Sequence, residues 1–247
     1  MFPLPGPIVK RLLISNIVIF FVSAFMPGLI RVFGLVPVAF WRGAVWQVFT
    51  YMFFHGSMMH IFFNMFALWM FGTELEYRWG SRAFVWYYVI TGVGAGLVTV
   101  LFWHNSPIPV IGASGAIYGI LLAYGLTFPN RIILIGFLFP MPAKYVVVLF
   151  GMMEFFSLFS MDGVAHITHL GGLFTGLAYL YFLGRGPRPR RIRVYPPKKD
   201  TDLDAVDLAE LDRLLDKIAR EGMESLSPQE KEFLDYVSKR LGRRWQR

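Results

Sequence analysis

The sequence predicts an all-α membrane protein: a polytopic bundle of six transmembrane helices followed by a small C-terminal helical hairpin. Three observations carry that expectation. Of 247 residues, 55% are hydrophobic, only 16% are charged, and the mean hydropathy is +0.51, which is too apolar for disorder or for an ordinary soluble domain. Charge is also segregated: residues 1–184 hold eight of the 24 Lys/Arg and four of the 16 Asp/Glu, so an apolar body precedes a charged tail. Each part is net +4 by that division, which excludes a nucleic-acid partner held by one basic domain. Finally, the chain has no cysteine, which removes disulfide frameworks, Cys-based zinc sites and thiol nucleophiles.

Six apolar stretches approach the ~20 residues that a bilayer-spanning helix needs: Leu12 to Ile30, Met58 to Phe71, Ala83 to Trp103, Ser114 to Phe128, Tyr145 to Phe159 and His166 to Leu183. Several are short or interrupted by Gly and Pro, as in helices that line a cavity. Lys10, Arg11, Arg78, Arg82, Arg131, Lys144 and the basic run from Arg185 flank alternate ends, while the opposite ends carry only Arg31 and Arg42. Both termini are therefore expected in the cytoplasm. A cleaved signal peptide, with Lys10 and Arg11 ahead of the first apolar run and Val22-Ser23-Ala24 as the cut, is the weaker alternative because it works against this charge bias. The stretch from Arg31 to Phe54 is too long for a turn and rich in aromatic residues. It is expected as a partly inserted loop in the outer interface.

All five histidines fall in the apolar body, where ionisable groups are costly and functional by default. With the second, fourth and sixth spans running from outside to inside, His60, Asn64, Ser114 and His169 share one depth, roughly 5–10 Å below the outer surface at ~1.5 Å per residue. Gly115, Gly119 and Ala123 repeat every fourth residue, as do Gly172 and Gly176, so these two spans are expected to touch along faces without bulky side chains. His169 shares that face, whereas His166 is turned about 60° away; His169 is the one expected to meet Ser114. A serine hydroxyl becomes a nucleophile when a positioned base takes its proton, and neutral imidazole suits that task. Tyr118, one turn below Ser114, is expected to stack on the imidazole. The backbone N–H of Ser114, the His60 side chain and the Asn64 amide are the expected donors for an oxyanion. An orienting carboxylate is missing from this reading, since Asp162 lies in a loop and Glu154 on another helix.

At this point the chain resembles a known family, the rhomboid intramembrane serine proteases. The matching features are Gly112-Ala113-Ser114-Gly115 with Ala116-Ile117-Tyr118-Gly119, and Ala165-His166-Ile167-Thr168-His169-Leu170-Gly171-Gly172 with Gly176. His55, His60-Ile61-Phe62-Phe63-Asn64 and Glu76-Tyr77-Arg78-Trp79-Gly80 match as well. The ordered set covers most of Trp46 to Leu183. The resemblance implies a six-helix core, Ser114 as nucleophile, His169 as general base, oxyanion contacts from His60 and Asn64, and cleavage of transmembrane segments of membrane-protein substrates. It also implies clients loosened by Gly, Pro or polar residues, membrane lipids as surroundings, and a multi-pass protein of the bacterial inner membrane. A Ser/His mechanism calls for no cofactor and no metal. One departure is Gln47: many relatives carry Trp-Arg where this chain has Trp46-Gln47.

Two rival readings are weighed against this one. An inactive rhomboid-like protein would hold clients without cutting them. A histidine-based metal-binding or transport protein would use His55, His60, His166 and His169, but it leaves the glycine-flanked serine unexplained. Among residues outside the catalytic pair, His166 is expected to be structural or at the pocket rim, His55 bonded to the aromatic loop, and His104 at the interface. Glu76 and Arg78 are expected as a cap or loop anchor, and Glu154 has no assigned role.

The chain divides into a transmembrane domain at 1–184, a basic, proline-rich juxtamembrane linker at 185–199, attracted to anionic lipids, and a cytoplasmic helical tail at 200–247. In the tail, Leu208, Leu211, Leu215 and Ile218 mark an amphipathic helix stopped near Gly222. Ser227-Pro228-Gln229-Glu230 is a capping box with Pro at the first helical position, and Phe233, Leu234, Val237 and Leu241 form the second apolar face.

Overall fold

The computed structural model describes residues 4–136, 138–158, 160, 165–182 and 205–242. Phe159, Asp162, Leu183 and the linker at 185–199 lie outside these, as do the side chains of Leu208 and Leu241. The chain forms two compact units, Met1–Arg190 and Arg191–Arg247.

In the first unit, helix α1 spans Pro7–Phe25. It begins earlier than the apolar run suggests because Pro7 suits the first helical turn and because Glu76, far along the chain, supplies the missing cap. The Glu76 carboxylate accepts the N–H groups of Ile8 and Val9, both at 2.9 Å, which have no acceptor within the helix. The segment from Arg31 to Phe54 is not one loop. It holds short helices α2 (Gly28–Phe33), α3 (Pro37–Phe40) and α4 (Gln47–Thr50), then a 3₁₀ turn at Tyr51–Phe53. Trp41, Trp46 and Phe49 point outward while Leu35, Tyr51 and Met52 are buried.

Helix α5 (Met58–Ala67) starts at Ser57, whose side chain accepts the His60 N–H at 3.1 Å. It runs through a π turn at Leu68–Gly72 into α6 (Thr73–Trp79). The second helical run thus continues past the expected end at Phe71, because Glu74, Leu75, Glu76 and Arg78 are good helix formers although they end the apolar pattern. Gly80, at φ 84°, stops it. Next come α7 (Ser81–Phe102), α8 (Ser114–Thr127), α9 (Ala143–Phe156) and α10 (His166–Phe182).

Between α8 and α9 the otherwise helical chain holds one small strand pair. Strands β1 (Ile132–Ile135) and β2 (Phe139–Pro142) pair antiparallel, with Ile133 opposite Met141. The β-branched run Ile132-Ile133 favours extended backbone, Gly136 at φ 58° begins the turn, and Pro140 and Pro142 exclude a helix.

Helices α7, α8 and α10 form the centre of the unit. Their contact faces carry almost no side-chain bulk. A Cβ on Gly172 would strike the carbonyl of Gly115, and one on Gly176 would lie 3.3 Å from the Gly119 Cα and 2.6 Å from the Tyr87 hydroxyl. Hydrogen bonds pin the same seams: Tyr51 to the Gly92 carbonyl at 2.7 Å, Tyr87 to the Gly119 carbonyl at 2.6 Å, and Thr99 with Thr168 at 2.7 Å. The outside is the reverse, since Phe21, Phe25, Trp86, Leu101, Phe155 and Phe174 are all exposed. Apolar surface on this scale is what a lipid-facing or partner-facing surface presents. Among the described residues, two helices, Pro7–Phe25 and Ser81–Phe102, are long and apolar enough to cross a membrane.

In the second unit, α11 (Ala205–Glu221) and α12 (Pro228–Gly242) are joined through Gly222 and a 3₁₀ turn at Met223–Ser225. The buried face centres on Leu214, with Leu226 and Val237; Leu215 is exposed instead of packed, because the hairpin partner approaches one position earlier on the helix. The capping box forms in full: Ser227 N–H donates to the Glu230 carboxylate at 2.8 Å, and Glu230 N–H donates to the Ser227 hydroxyl at 3.2 Å. Lys217 joins the helices by donating to Glu230 at 2.9 Å.

Two expectations follow. Gly172→Ala should lower the thermal unfolding midpoint of the detergent-solubilised protein, at a cost of about 1–3 kcal/mol for an overpacked contact. Gly151→Ala should not, since its Cβ would meet only Leu173 at an ordinary 3.4 Å. In the second unit, the Ser227 N–H and then Lys217 hold the Glu230 carboxyl down at about 2 from its ordinary 4.5. Its support of α12 is therefore complete above pH 4.5 and is lost as pH falls toward about 2; carboxyl-carbon NMR titration of Glu230 should show its midpoint there.

Candidate functional site

The site lies where the start of α8 meets the first turns of α5 and α10. Gly112, at φ 126°, turns the chain into α8 in a backbone conformation that suits only glycine. The turn is held from outside itself: Gly112 N–H donates to the Tyr51 carbonyl at 3.0 Å, and Leu35 and Val110 exchange both backbone hydrogen bonds, at 2.9 and 2.8 Å. His55 is placed here too, its Nε2 accepting the Ala113 N–H at 3.5 Å. That contact helps set the turn before Ser114.

Ser114 opens α8, and no side chain caps its N-terminus; first-turn N–H groups have no acceptor within a helix. The Ser114 hydroxyl lies 2.8 Å from His169 Nε2. Tyr118 stacks on the His169 ring, centroids 4.5 Å apart at 10°. The structure thus brings Ser114, Tyr118 and His169 together, and the glycines behind them, Gly115, Gly172 and Gly176, form the helix contact already described.

His60 stands opposite. Its Nδ1 accepts the Gly56 N–H at 3.4 Å, which puts the ring proton of the neutral imidazole on Nε2. A Cβ on Gly112 would fall 2.7 Å from that Nε2 and 3.5 Å from the Ser114 Oγ, so the absent side chain keeps imidazole and hydroxyl in the same space. His55 packs edge-on against His60, with ring centroids 4.9 Å apart. Asn64 donates one of its two amide N–H groups to the His60 carbonyl at 2.8 Å. His60, Asn64, Ser114 and His169 all line a cavity of about 1060 Å³, together with Trp103 and Val110.

Behind His169 lies a residue to which sequence reasoning gave no role. Glu154, buried on α9, accepts hydrogen bonds from the Tyr118 hydroxyl and from His166 Nδ1, the latter at 2.6 Å. Its Oε2 is also 3.0 Å from His169 Nδ1, at ion-pair distance but out of hydrogen-bond alignment. The available signal was a lone acid inside an apolar helix. His166 is accordingly buried against this carboxylate. Among the described residues, Glu154, His166 and His169 are the group close enough to share a metal ion. His55 and His60, which pair at the α5 end, are not part of that group.

Gln47, the departure from the family pattern, is buried and anchors the outer segment. Its Oε1 accepts the Val36 N–H at 2.9 Å, and its Nε2 donates to the Val32 carbonyl at 3.1 Å.

Comparison with known proteins agrees with the architecture. A family model described as "Rhomboid domain" matches residues 42–186, and a family of unknown function matches residues 206–240. Rhomboid protease GluP of Bacillus subtilis (strain 168) is 33% identical over 141 residues, 56% of this chain and 26% of that protein. Rhomboid protein 1, mitochondrial, of Saccharomyces cerevisiae is 28% identical over 148 residues, 57% of this chain and 42% of that protein. Rhomboid protease GlpG of Salmonella paratyphi A is 31% identical over 140 residues, 56% of this chain and 48% of that protein. The chain thus spans less than half the length of each of these relatives.

Gln47→Leu keeps the volume but strands the Val36 N–H, while the Val32 carbonyl keeps its bond from Trp46 Nε1 at 3.0 Å. A loss of about 1–3 kcal/mol per unpaired buried group is expected, read as a lower unfolding midpoint with the outer segment exchanging amide hydrogens first.

Proposed function

Because this chain belongs to the Rhomboid family, whose members are polytopic integral membrane proteins, we propose that it is an intramembrane serine endopeptidase. The observation that carries this reading is the 2.8 Å contact between the Ser114 hydroxyl and His169 Nε2 at the wall of a cavity that His60 and Asn64 also line.

In the proposed mechanism, α1, the continuous run from α5 through α6, α7, α8, α9 and α10 are the six membrane-crossing helices, with both termini in the cytoplasm of a bacterial cell. His169 takes the Ser114 proton as the hydroxyl attacks a peptide carbonyl, then passes it to the leaving amine, and water hydrolyses the acyl-enzyme. The charge on the carbonyl oxygen meets His60 Nε2–H, the free N–H of the Asn64 amide and the first backbone N–H groups of α8. The substrate must be extended at the cut, since a helix holds its carbonyls in hydrogen bonds. Membrane-protein segments containing Gly, Pro or polar residues meet that need. The protease domain is residues 1–184, followed by the linker at 185–199 and the tail at 200–247.

Cleavage of a helical model substrate in liposomes tests the reading. Ser114→Ala and His169→Ala should each abolish it, and His60→Ala or Asn64→Ala should lower kcat by about 10²-fold, the scale of a lost oxyanion donor. Client binding without any Ser114-dependent product would leave the inactive, client-holding function in its place.

A further inference from the structure

We infer that Glu154 is a positioning residue for the imidazole base, holding its proton on the nitrogen that faces away from the serine. The inference rests on the serine-protease reading above and deepens it. Neutral imidazole carries one N–H. With the Ser114 hydroxyl donating to His169 Nε2 at 2.8 Å, the ring proton belongs on Nδ1. The group facing Nδ1 is the Glu154 Oε2, 3.0 Å away, and a carboxylate only accepts. The reversed tautomer would set a bare nitrogen lone pair against that oxygen and an N–H against the hydroxyl whose proton is to be removed.

The surroundings make Glu154 more than a chance neighbour. A carboxylate buried in an apolar helix is costly unless its oxygens are satisfied, and each one is. Tyr118 donates to Oε1 and His166 Nδ1 donates to Oε2 at 2.6 Å. Both donors bear on the base: the Tyr118 ring lies flat on His169, and His166 sits one turn before it on α10. One carboxylate on α9 therefore governs the tautomer, the stacking ring and the neighbouring imidazole, across α8 and α10. The loose alignment at Nδ1 fits a contact that tightens when His169 takes the serine proton and becomes a cation. A metal ion explains the group less well. Two atoms sharing a tetrahedral zinc at ~2.0–2.1 Å sit about 3.3 Å apart, whereas the 2.6 Å contact is that of a hydrogen bond with its proton in place.

The test uses the full chain in liposomes. Nitrogen-15 NMR of histidine-labelled protein should find His169 as the Nδ1–H tautomer, and Glu154→Gln should shift it toward Nε2–H. The same variant should lower kcat by about 10²- to 10⁴-fold, the range set by losing the carboxylate behind a catalytic histidine, with KM changed less than about twofold. A wild-type Nε2–H tautomer would overturn the inference, whether or not Glu154→Gln folds. So would a folded Glu154→Gln protein with wild-type kcat, or one whose kcat falls while the tautomer stays, since that is a packing effect. Failure of the protease reading looks different: product formation in the wild type would be missing or would survive Ser114→Ala, while the tautomer measurement still reports on Glu154.

Discussion

Where α10 crosses α8, Gly172 faces the carbonyl of Gly115 with no room for a side chain between them. These glycines lie one residue after Ser114 and three residues after His169, so the backbone contact and the hydroxyl–imidazole contact belong to the same helical turns. A methyl group inserted at the glycines would push the helices apart by more than a hydrogen bond tolerates. The chemistry of the site is thus limited by how closely two backbones approach, and Gly119 against Gly176 repeats the condition one turn further on.

Close approach alone gives little adhesion in a lipid setting, where the tails are as apolar as the side chains and van der Waals packing and hydrogen bonds carry helix association. The bundle answers with tyrosine and threonine hydroxyls at the seams: Tyr51, Tyr87, and Thr99 with Thr168. Glu76 does the same at the start of α1. Tyr51 also fixes a neighbour of the site, since it offers its hydroxyl to α7 and its carbonyl to Gly112.

How much of the site was legible depended on whether helical geometry alone decided the question. The choice of His169 over His166 followed from which residue shares a face with Gly172 and Gly176, because the period of a helix is set by its own backbone. The capping box at Ser227 and the small-residue seams were readable for the same reason. Glu154 was not. Its helix has polar residues at no regular interval, so periodicity gives no rotation for α9, and nothing local says which neighbour it meets. Gln47 was opaque on similar grounds, since its partners at Val36 and Val32 are backbone groups that every residue possesses.

By itself the sequence determined that an apolar helical body precedes a charged helical hairpin, that Ser114 and His169 lie on small-residue faces, and where several helices begin. Those are properties of composition, caps and the 3.6-residue repeat, all acting within one segment. Only the tertiary structure decided that Glu154 closes on both histidines and Tyr118, that Glu76 caps a helix 68 residues away, and that Ile132 to Pro142, between two expected spans, forms a strand pair. Such contacts depend on the rotation and offset of whole helices against one another, which follow from the packing of every seam at once and are written in no single stretch of chain.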